Sequence, residues 1–300
     1  MKRLGVVGWP IAHSRSPAIQ TAALRAAGLG SEWSYEKLAI ESGNFASRIG
    51  RLAASGDWVG VNVTIPHKQA ALGLADRPSA AAAAIGAANT LSFVGDQIAA
   101  ENTDAPGLIA ALPTSPDGAR ALVFGAGGAG RAAAWALRQA GADVSIWNRT
   151  EARAEAVAAE LGIAVLRRLG GERLDIAAFD LLVNSTSVGL DRGVPPSDND
   201  RFVRRTSKRR SPDPALLMEL GVVADALCER HLVVDLVYRS DGNPDTDLIV
   251  SARQAGARIV NGLEILVRQG AQSFRIWTGL EPDLAVMRAA ADNPSAGRID

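Results

Sequence analysis

A chain of 300 residues is long for one hydrophobic core and short for three, so two domains are expected. Apolar residues make up 47% of it, and 32 basic residues balance 32 acidic ones, which removes the global field that would favour nucleic acid or an anionic membrane surface. One cysteine, Cys228, permits no internal disulfide, and the Cys and His residues have no metal-ligand spacing. The first ten residues reach Gly5, Gly8 and Pro10 before any long apolar run, so neither a signal peptide nor a membrane span is read there. The expectation is a cytoplasmic protein with a small-molecule partner.

In chain order, residues 4–7 read as a strand, 18–27 as a helix and 59–65 as a strand, the rhythm of a parallel α/β layer. His13-Ser14-Arg15-Ser16-Pro17 joins the first strand to the first helix. Ser16 before Pro17 reads as an N-cap, and Ser14 and Ser16 are also suited to hold a carboxylate at the positive helix end. In the strand at 59–65, Asn62 and Thr64 share one face while Val61, Val63 and Ile65 share the other. Pro66 then reads as opening a helix with Lys68 in its first turn, where an ammonium opposes the helix dipole. That mismatch invites a functional reading, and a plain surface lysine is an equal alternative.

Residues 90–94 and 97–101 read as a hairpin closed by Gly95-Asp96. A two-residue loop pairs Val94 with Gln97, and the same register sets Asn89 opposite Asn102, two residues before Asp104. Asp104 is either the N-cap of a helix at 105–112 or a functional carboxylate, and one carboxylate cannot fully do both. A turn cluster at 113–118 is the expected hinge.

A second rhythm follows: strand 121–124, helix 131–140, strand 144–147, helix 151–161 and strand 180–184. Gly125-Ala126-Gly127-Gly128-Ala129-Gly130 lies between the first strand and helix of this unit, as a dinucleotide fingerprint must. The glycines allow a tight turn, approach of a pyrophosphate to the backbone, and close packing of helix on strand. Where an NAD enzyme carries an acidic residue, the next strand ends in Asn148-Arg149-Thr150, with Arg153 one turn later. Two guanidinium groups suit a 2′-phosphate, so NADP is favoured; for Arg153 alone a solvated helix face is a fair competitor. Residues 191–214, polar and arginine-rich, read as a long surface excursion. Residues 263–277 are apolar at helical spacing and are expected to return to the first domain.

Together these residues resemble the shikimate dehydrogenase family, through GWPIAHSRSP at 8–17, NVTIPHK at 62–68, GAANTL at 86–91, ENTD at 101–104, GAGGAG at 125–130, NRT at 148–150, NSTSVG at 184–189, DLVY at 235–238 and GLEILVRQGA from Gly262. The motifs stand in family order over most of the chain. The resemblance implies an α/β fold of two domains with a cleft between them: a substrate domain with a mainly parallel sheet (1–104 and 262–300) and a Rossmann-like NADP-binding domain (105–261). It implies reversible NADP-linked reduction of 3-dehydroshikimate to shikimate in aromatic amino-acid biosynthesis, by a monomer or homodimer. Ser14 and Ser16 would bind the substrate carboxylate, Lys68 and Asp104 would be the catalytic pair, and Thr64, Asn89 and Gln269 would bind hydroxyls. Tyr238 would help close the pocket from the cofactor side. The fingerprint residues 125–130, with Asn148, Arg149, Thr150 and Arg153, would hold the cofactor.

Quinate or an aminated shikimate analogue is the alternative substrate within the superfamily, and a non-enzymatic NADPH-binding regulator the alternative outside it. The chain departs from the family pattern after Tyr238, where Asp245-Thr246-Asp247-Leu248 replaces threonine-proline-leucine, and in the longer basic excursion after Gly189. His67 and His231 read as solvent-facing or locally hydrogen-bonded, and Cys228 as a small apolar helix residue. The basic run at Arg204, Arg205, Lys208, Arg209 and Arg210 reads as a solvated loop.

Overall fold

The computed structural model of the chain describes residues 1–168, 173–190, 214–239 and 245–293. Residues 191–213, which include the basic run and nearly all of the expected excursion, lie outside the described residues; Pro214 opens a helix.

The first six strands, β1 (Lys2–Gly8), β2 (Trp33–Ala39), β3 (Trp58–Val63), β4 (Arg77–Pro78), β5 (Thr90–Val94) and β6 (Gln97–Glu101), form one sheet in the order β2-β1-β3-β5-β6-β4. β1 runs parallel to β2 and β3, whereas β5 is antiparallel to both β3 and β6. The hairpin has the register expected from its two-residue loop, Val94 opposite Gln97 and Thr90 opposite Glu101. Around this sheet lie α1 (Ser16–Ala26), α2 (Phe45–Ala54), α3 (Lys68–Gly73), α4 (Ala80–Ile85) and α5 (Asp104–Ala111).

A second sheet of six strands, β7 (Arg120–Phe124), β8 (Asp143–Trp147), β9 (Ala164–Val165), β10 (Leu181–Asn184), β11 (Leu232–Asp235) and β12 (Arg258–Val260), has the order β12-β11-β10-β7-β8-β9 with every pairing parallel. Apolar clusters cover both of its faces, one built on Val123, Val144 and Val183 and the other on Leu122, Phe124 and Leu182. Successive residues of buried strands supply opposite faces, which is why these strands read as unbroken apolar runs. Its helices are α6 (Gly128–Gln139), α7 (Glu151–Leu161), α8 (Pro214–Glu219) and α9 (Asp247–Gln254). The strand order reverses between β7 and β10, and a doubly wound sheet opens its ligand crevice at that point.

The chain then returns to the first sheet. α10 (Gly262–Thr278) is capped by Asn261, whose Oδ1 accepts from the Glu264 amide at 3.2 Å, and is followed by α11 (Leu284–Asp292). Val267, Ala271 and Phe274 recur at helical spacing and pack with Trp277 and Met287 against Leu4, Val6, Ile19 and Leu24. α5 lies against α10 through Gly107, where an added Cβ would come within 2.8 Å of the Gln269 Cβ. That approach brings the start of α5 beside Gln269.

Two helix starts differ from expectation, and a third decides an alternative left open in the sequence. Ser16 is the first residue of α1 rather than its cap, and its amide donates to Ser14 Oγ at 3.3 Å. Pro66 lies ahead of α3 in a turn closed by the His67 amide on the Thr64 carbonyl, 3.0 Å, so Lys68 itself begins the helix. At α5 the hydrogen bond that serves the helix start comes from Asn102, one residue ahead of the cap position at Thr103: its Oδ1 accepts from the Ala105 amide at 3.2 Å, and Asp104 is left for other partners.

His67 and His231 do not face solvent: His67 stacks on Phe45 and sets Nε2 2.7 Å from the Ile40 carbonyl oxygen, and His231 is locally hydrogen-bonded, its Nδ1 accepting from the Cys228 amide at 3.1 Å. Cys228 lies in a loop, not a helix. Among the described residues no helix is long and apolar enough to cross a membrane.

Candidate active site

Lys68 begins α3 and Asp104 begins α5, and the Lys68 ammonium donates to Asp104 Oδ2 at 2.6 Å. A helix start favours the carboxylate and disfavours the ammonium, so the ion pair offsets the unfavourable position of the lysine. The side chains are 13% and 12% exposed, which leaves the pair reachable from the cleft but little screened by water.

Behind the pair stands a buried polar lattice. Asn89 Nδ2 donates to Asp104 Oδ1 and Thr103 Oγ1, each at 2.9 Å, and to Gln269 Oε1 at 3.2 Å, while its Oδ1 accepts from the Thr103 amide at 2.7 Å. Asn62 Nδ2 donates to Ser273 Oγ at 2.8 Å and to the Asn89 carbonyl at 3.3 Å, and its Oδ1 accepts from the Tyr35 hydroxyl at 2.7 Å. A network with its donors and acceptors engaged holds one geometry, because each rotation would strand a buried polar atom.

A cavity of about 220 Å³ opens in front of the pair. All eight residues assigned to catalysis and substrate by resemblance line it: Ser14, Ser16, Thr64, Lys68, Asn89, Asp104, Tyr238 and Gln269. Burial pushes the Tyr238 phenol up from its usual range, opposed by the Arg15 amide, the Arg15 charge and the Ser14 hydroxyl.

A larger cavity of about 750 Å³ adjoins it, lined by Gly125 to Ala129, Asn148, Arg149, Thr150 and Arg153. Gly130 is not on its wall. It serves the helix–strand contact instead, where a Cβ would collide with the Gly125 carbonyl oxygen. Asn148 shapes the loop, accepting from the Ala126 amide at 3.2 Å and donating to the Thr150 carbonyl at 2.9 Å. Gly127 has open space where its Cβ would be, so the backbone at the start of α6 can be approached closely. With two exposed guanidinium groups at the far corner, this donor set fits a dinucleotide carrying an extra phosphate.

Lys68 lines both cavities, as do Ile65, Ala129, Ser185, Thr186 and Ser187. The segment Ser185–Ser187 had no role in the residue-level reading, although its motif carried part of the resemblance. It is held from below: the Thr186 amide and hydroxyl donate to Asn184 Oδ1 at 3.0 and 2.8 Å, and Asn184 Nδ2 donates to Asp235 Oδ1 at 2.9 Å. Burial pushes the Asp235 carboxyl up to about 7, against the pull of the hydrogen bonds it accepts from Thr246, Val237 and Asn184. Thr246 also caps α9, so the stretch that departs from the family pattern keeps an anchored threonine.

Sequence reasoning also missed the structural part of Asn62, Thr90, Thr103 and Ser273. The alternation that put Asn62 beside Thr64, and the one-turn spacing of Ser273 from Gln269, were the available signals.

Family profiles described as the shikimate dehydrogenase substrate binding domain, shikimate / quinate 5-dehydrogenase and the shikimate 5'-dehydrogenase C-terminal domain match residues 6–91, 110–223 and 262–291. An NADP(+) shikimate dehydrogenase of Thermus thermophilus is 42% identical over 97% of this chain and 98% of its own. The crystal structure of a Thermus thermophilus shikimate 5-dehydrogenase in complex with NADP(H) and shikimate has a TM-score of 0.78 at 38% identity, covering 97% of this chain and 98% of that one. A ligand-free 5-ketofructose reductase of Gluconobacter sp. strain CHM43 has a TM-score of 0.77 at 28% identity, covering 98% of both chains. With three profiles in family order and a relative of this identity over nearly its whole length, the chain belongs to the shikimate dehydrogenase family.

Proposed function

We propose that this chain catalyses the reversible NADP-dependent reduction of 3-dehydroshikimate to shikimate, with Lys68 and Asp104 as its catalytic pair. The observation that carries the reading is the 2.6 Å contact between Lys68 Nζ and Asp104 Oδ2, with Lys68 on the wall common to both cavities. We assign residues 1–104 and 262–300 to the substrate-binding part and 105–261 to the cofactor-binding part; the return of α10 and α11 to the first sheet supports that division.

NADP(H), when bound, supplies the hydride chemistry, and Gly125 to Ala129 with Asn148, Arg149, Thr150 and Arg153 are the residues to hold it. The chain's own task is to orient the reacting carbon and manage the charge on its oxygen. Lys68 Nζ donates to that oxygen during reduction, and Asp104, fixed by Asn89, orients both lysine and substrate. Ser14 and Ser16 hold the carboxylate, while Thr64, Asn89 and Gln269 take the ring hydroxyls. Tyr238 closes the cavity from the segment after β11.

The direct test is a spectrophotometric assay of the purified chain with shikimate or quinate and NADP or NAD. The expected result is turnover of shikimate with NADP well above the other three combinations. Absence of turnover with retained NADPH binding would leave a non-enzymatic NADPH-binding protein; a preference for quinate would move the chain to a neighbouring specificity.

A further inference from the structure

Arg15 stands between the two serines of the carboxylate seat, yet its side chain is not on the cavity wall. The residue is 6% exposed, its guanidinium lies 5.8 Å from the centroid of the Tyr238 ring, and among the described residues it forms no ion pair. Instead Nη1 donates to the Ala291 carbonyl at 2.7 Å and Nη2 to the Arg239 carbonyl at 2.8 Å, while the Arg15 amide donates to the Tyr238 hydroxyl at 3.3 Å. Ala291 lies in the last turn of α11, where carbonyls lack intrahelical partners and the helix dipole is negative. One planar fork thus joins three segments distant in sequence: the serine loop, the stretch after β11, and the last described helix.

A buried cation held by two carbonyls and a ring face is costly to desolvate, and a residue serving packing alone would be better replaced by an apolar one. The geometry points to a use for that cost: we propose that Arg15 is a positioning residue for the substrate carboxylate, touching no substrate atom but fixing the Ser14–Ser16 loop against Tyr238 so that three hydroxyls converge. Ser14 and Ser16 lie on either side of Arg15 in sequence, and its fork fixes Arg239, the residue after Tyr238. A lysine could satisfy one of the two carbonyls but not both at the fork's fixed angle. The inference rests on the function proposed above.

The test compares wild type, Arg15→Met and Arg15→Lys with two substrates, shikimate and its neutral methyl ester, alongside the Kd for NADPH and the melting temperature. For Arg15→Met the expected result is a KM for shikimate raised about tenfold or more and a smaller rise for the ester, whose uncharged carbonyl the same hydroxyls hold less strongly, with kcat and the NADPH Kd within about threefold of wild type. Arg15→Lys should fall between the two and serves as the readout should the methionine variant not fold. A KM rise confined to shikimate would make Arg15 a direct ligand of the carboxylate and overturn the proposal. A lowered melting temperature with both KM values unchanged would reduce it to a packing role, which overturns it equally. A wild-type chain that neither binds nor oxidises shikimate would defeat the functional reading first, and this inference with it.

Discussion

The two cavities that meet at Lys68 are built on opposite plans. In the smaller one the polar side chains hold each other: Asn89 alone engages Asp104, Thr103 and Gln269, and Asn62 ties that group to Tyr35 and Ser273. In the larger one the side chains assigned to the cofactor stand apart; Arg149, Thr150 and Arg153 are exposed, and among the described residues no hydrogen bond engages their side chains. The difference follows the task. A group that manages charge on a reacting oxygen must be in place before substrate arrives, because reorganisation at that moment raises the barrier. A group that grips a dianionic phosphate can be ordered by the phosphate itself, since charge-assisted hydrogen bonds are strong enough to offset the lost rotamer freedom.

The comparison is broken most severely at the pair. Lys68→Ala is expected to lower kcat by roughly 10²–10⁴-fold with a much smaller change in KM. Steady-state kinetics at saturating cofactor measure it, and a retained kcat with raised KM would demote Lys68 to a binding group. At the open corner, Arg149→Ala with Arg153→Ala is expected to cut the preference for NADP over NAD by roughly ten- to a hundredfold while leaving the melting temperature nearly unmoved. An unchanged preference would remove the phosphate assignment.

A change behind the small cavity should act on stability as well as on rate. Asn62→Ala removes one hydrogen-bond partner each from the Tyr35 hydroxyl, Ser273 Oγ and the Asn89 carbonyl, the last two of which keep others, for an expected loss of about 1–3 kcal/mol in a urea titration. A neutral result would mean that the lattice carries little strain when opened.

A further effect is a pH dependence at Asp235. In the folded chain its proton is held up to about 7, against a reference of 3.8, so between those values the folded state binds more proton than the unfolded one. Stability from this group is therefore full below about pH 4 and declines as pH rises through about 7. Asp235→Asn should flatten that part of the profile; urea midpoints at pH 5 and pH 8 report it, and an undiminished slope would assign the decline to other groups.

What the sequence disclosed was local or patterned. The hairpin register follows from loop length, the fingerprint from its place between strand and helix, and the return of α10 from apolar residues a helical turn apart. Residue chemistry narrowed Lys68 and Asp104 to candidates, but 36 positions separate them, and no spacing rule brings two helix starts to 2.6 Å; the family resemblance supplied that pairing. The role of Asp104 stayed open between cap and functional carboxylate because Asn102 and Asp104 both suit capping, and only the carboxylate's ion pair with Lys68 decides between them. The direction of Arg15 was invisible for a similar reason. Its partners are backbone carbonyls, which every residue has, so no side-chain pattern marks them.

The late return of the chain has a consequence for its birth. Phe274, Trp277 and Met287 fill the same cluster as Leu4, Val6 and Ile19, so on the ribosome the opening strands wait through nearly the whole of synthesis for the residues that cover them. The second sheet, contiguous from β7 to β12, is expected to mature first. A nascent chain halted before Gly262 would thus display a second sheet complete in its strands beside an apolar surface in need of a chaperone.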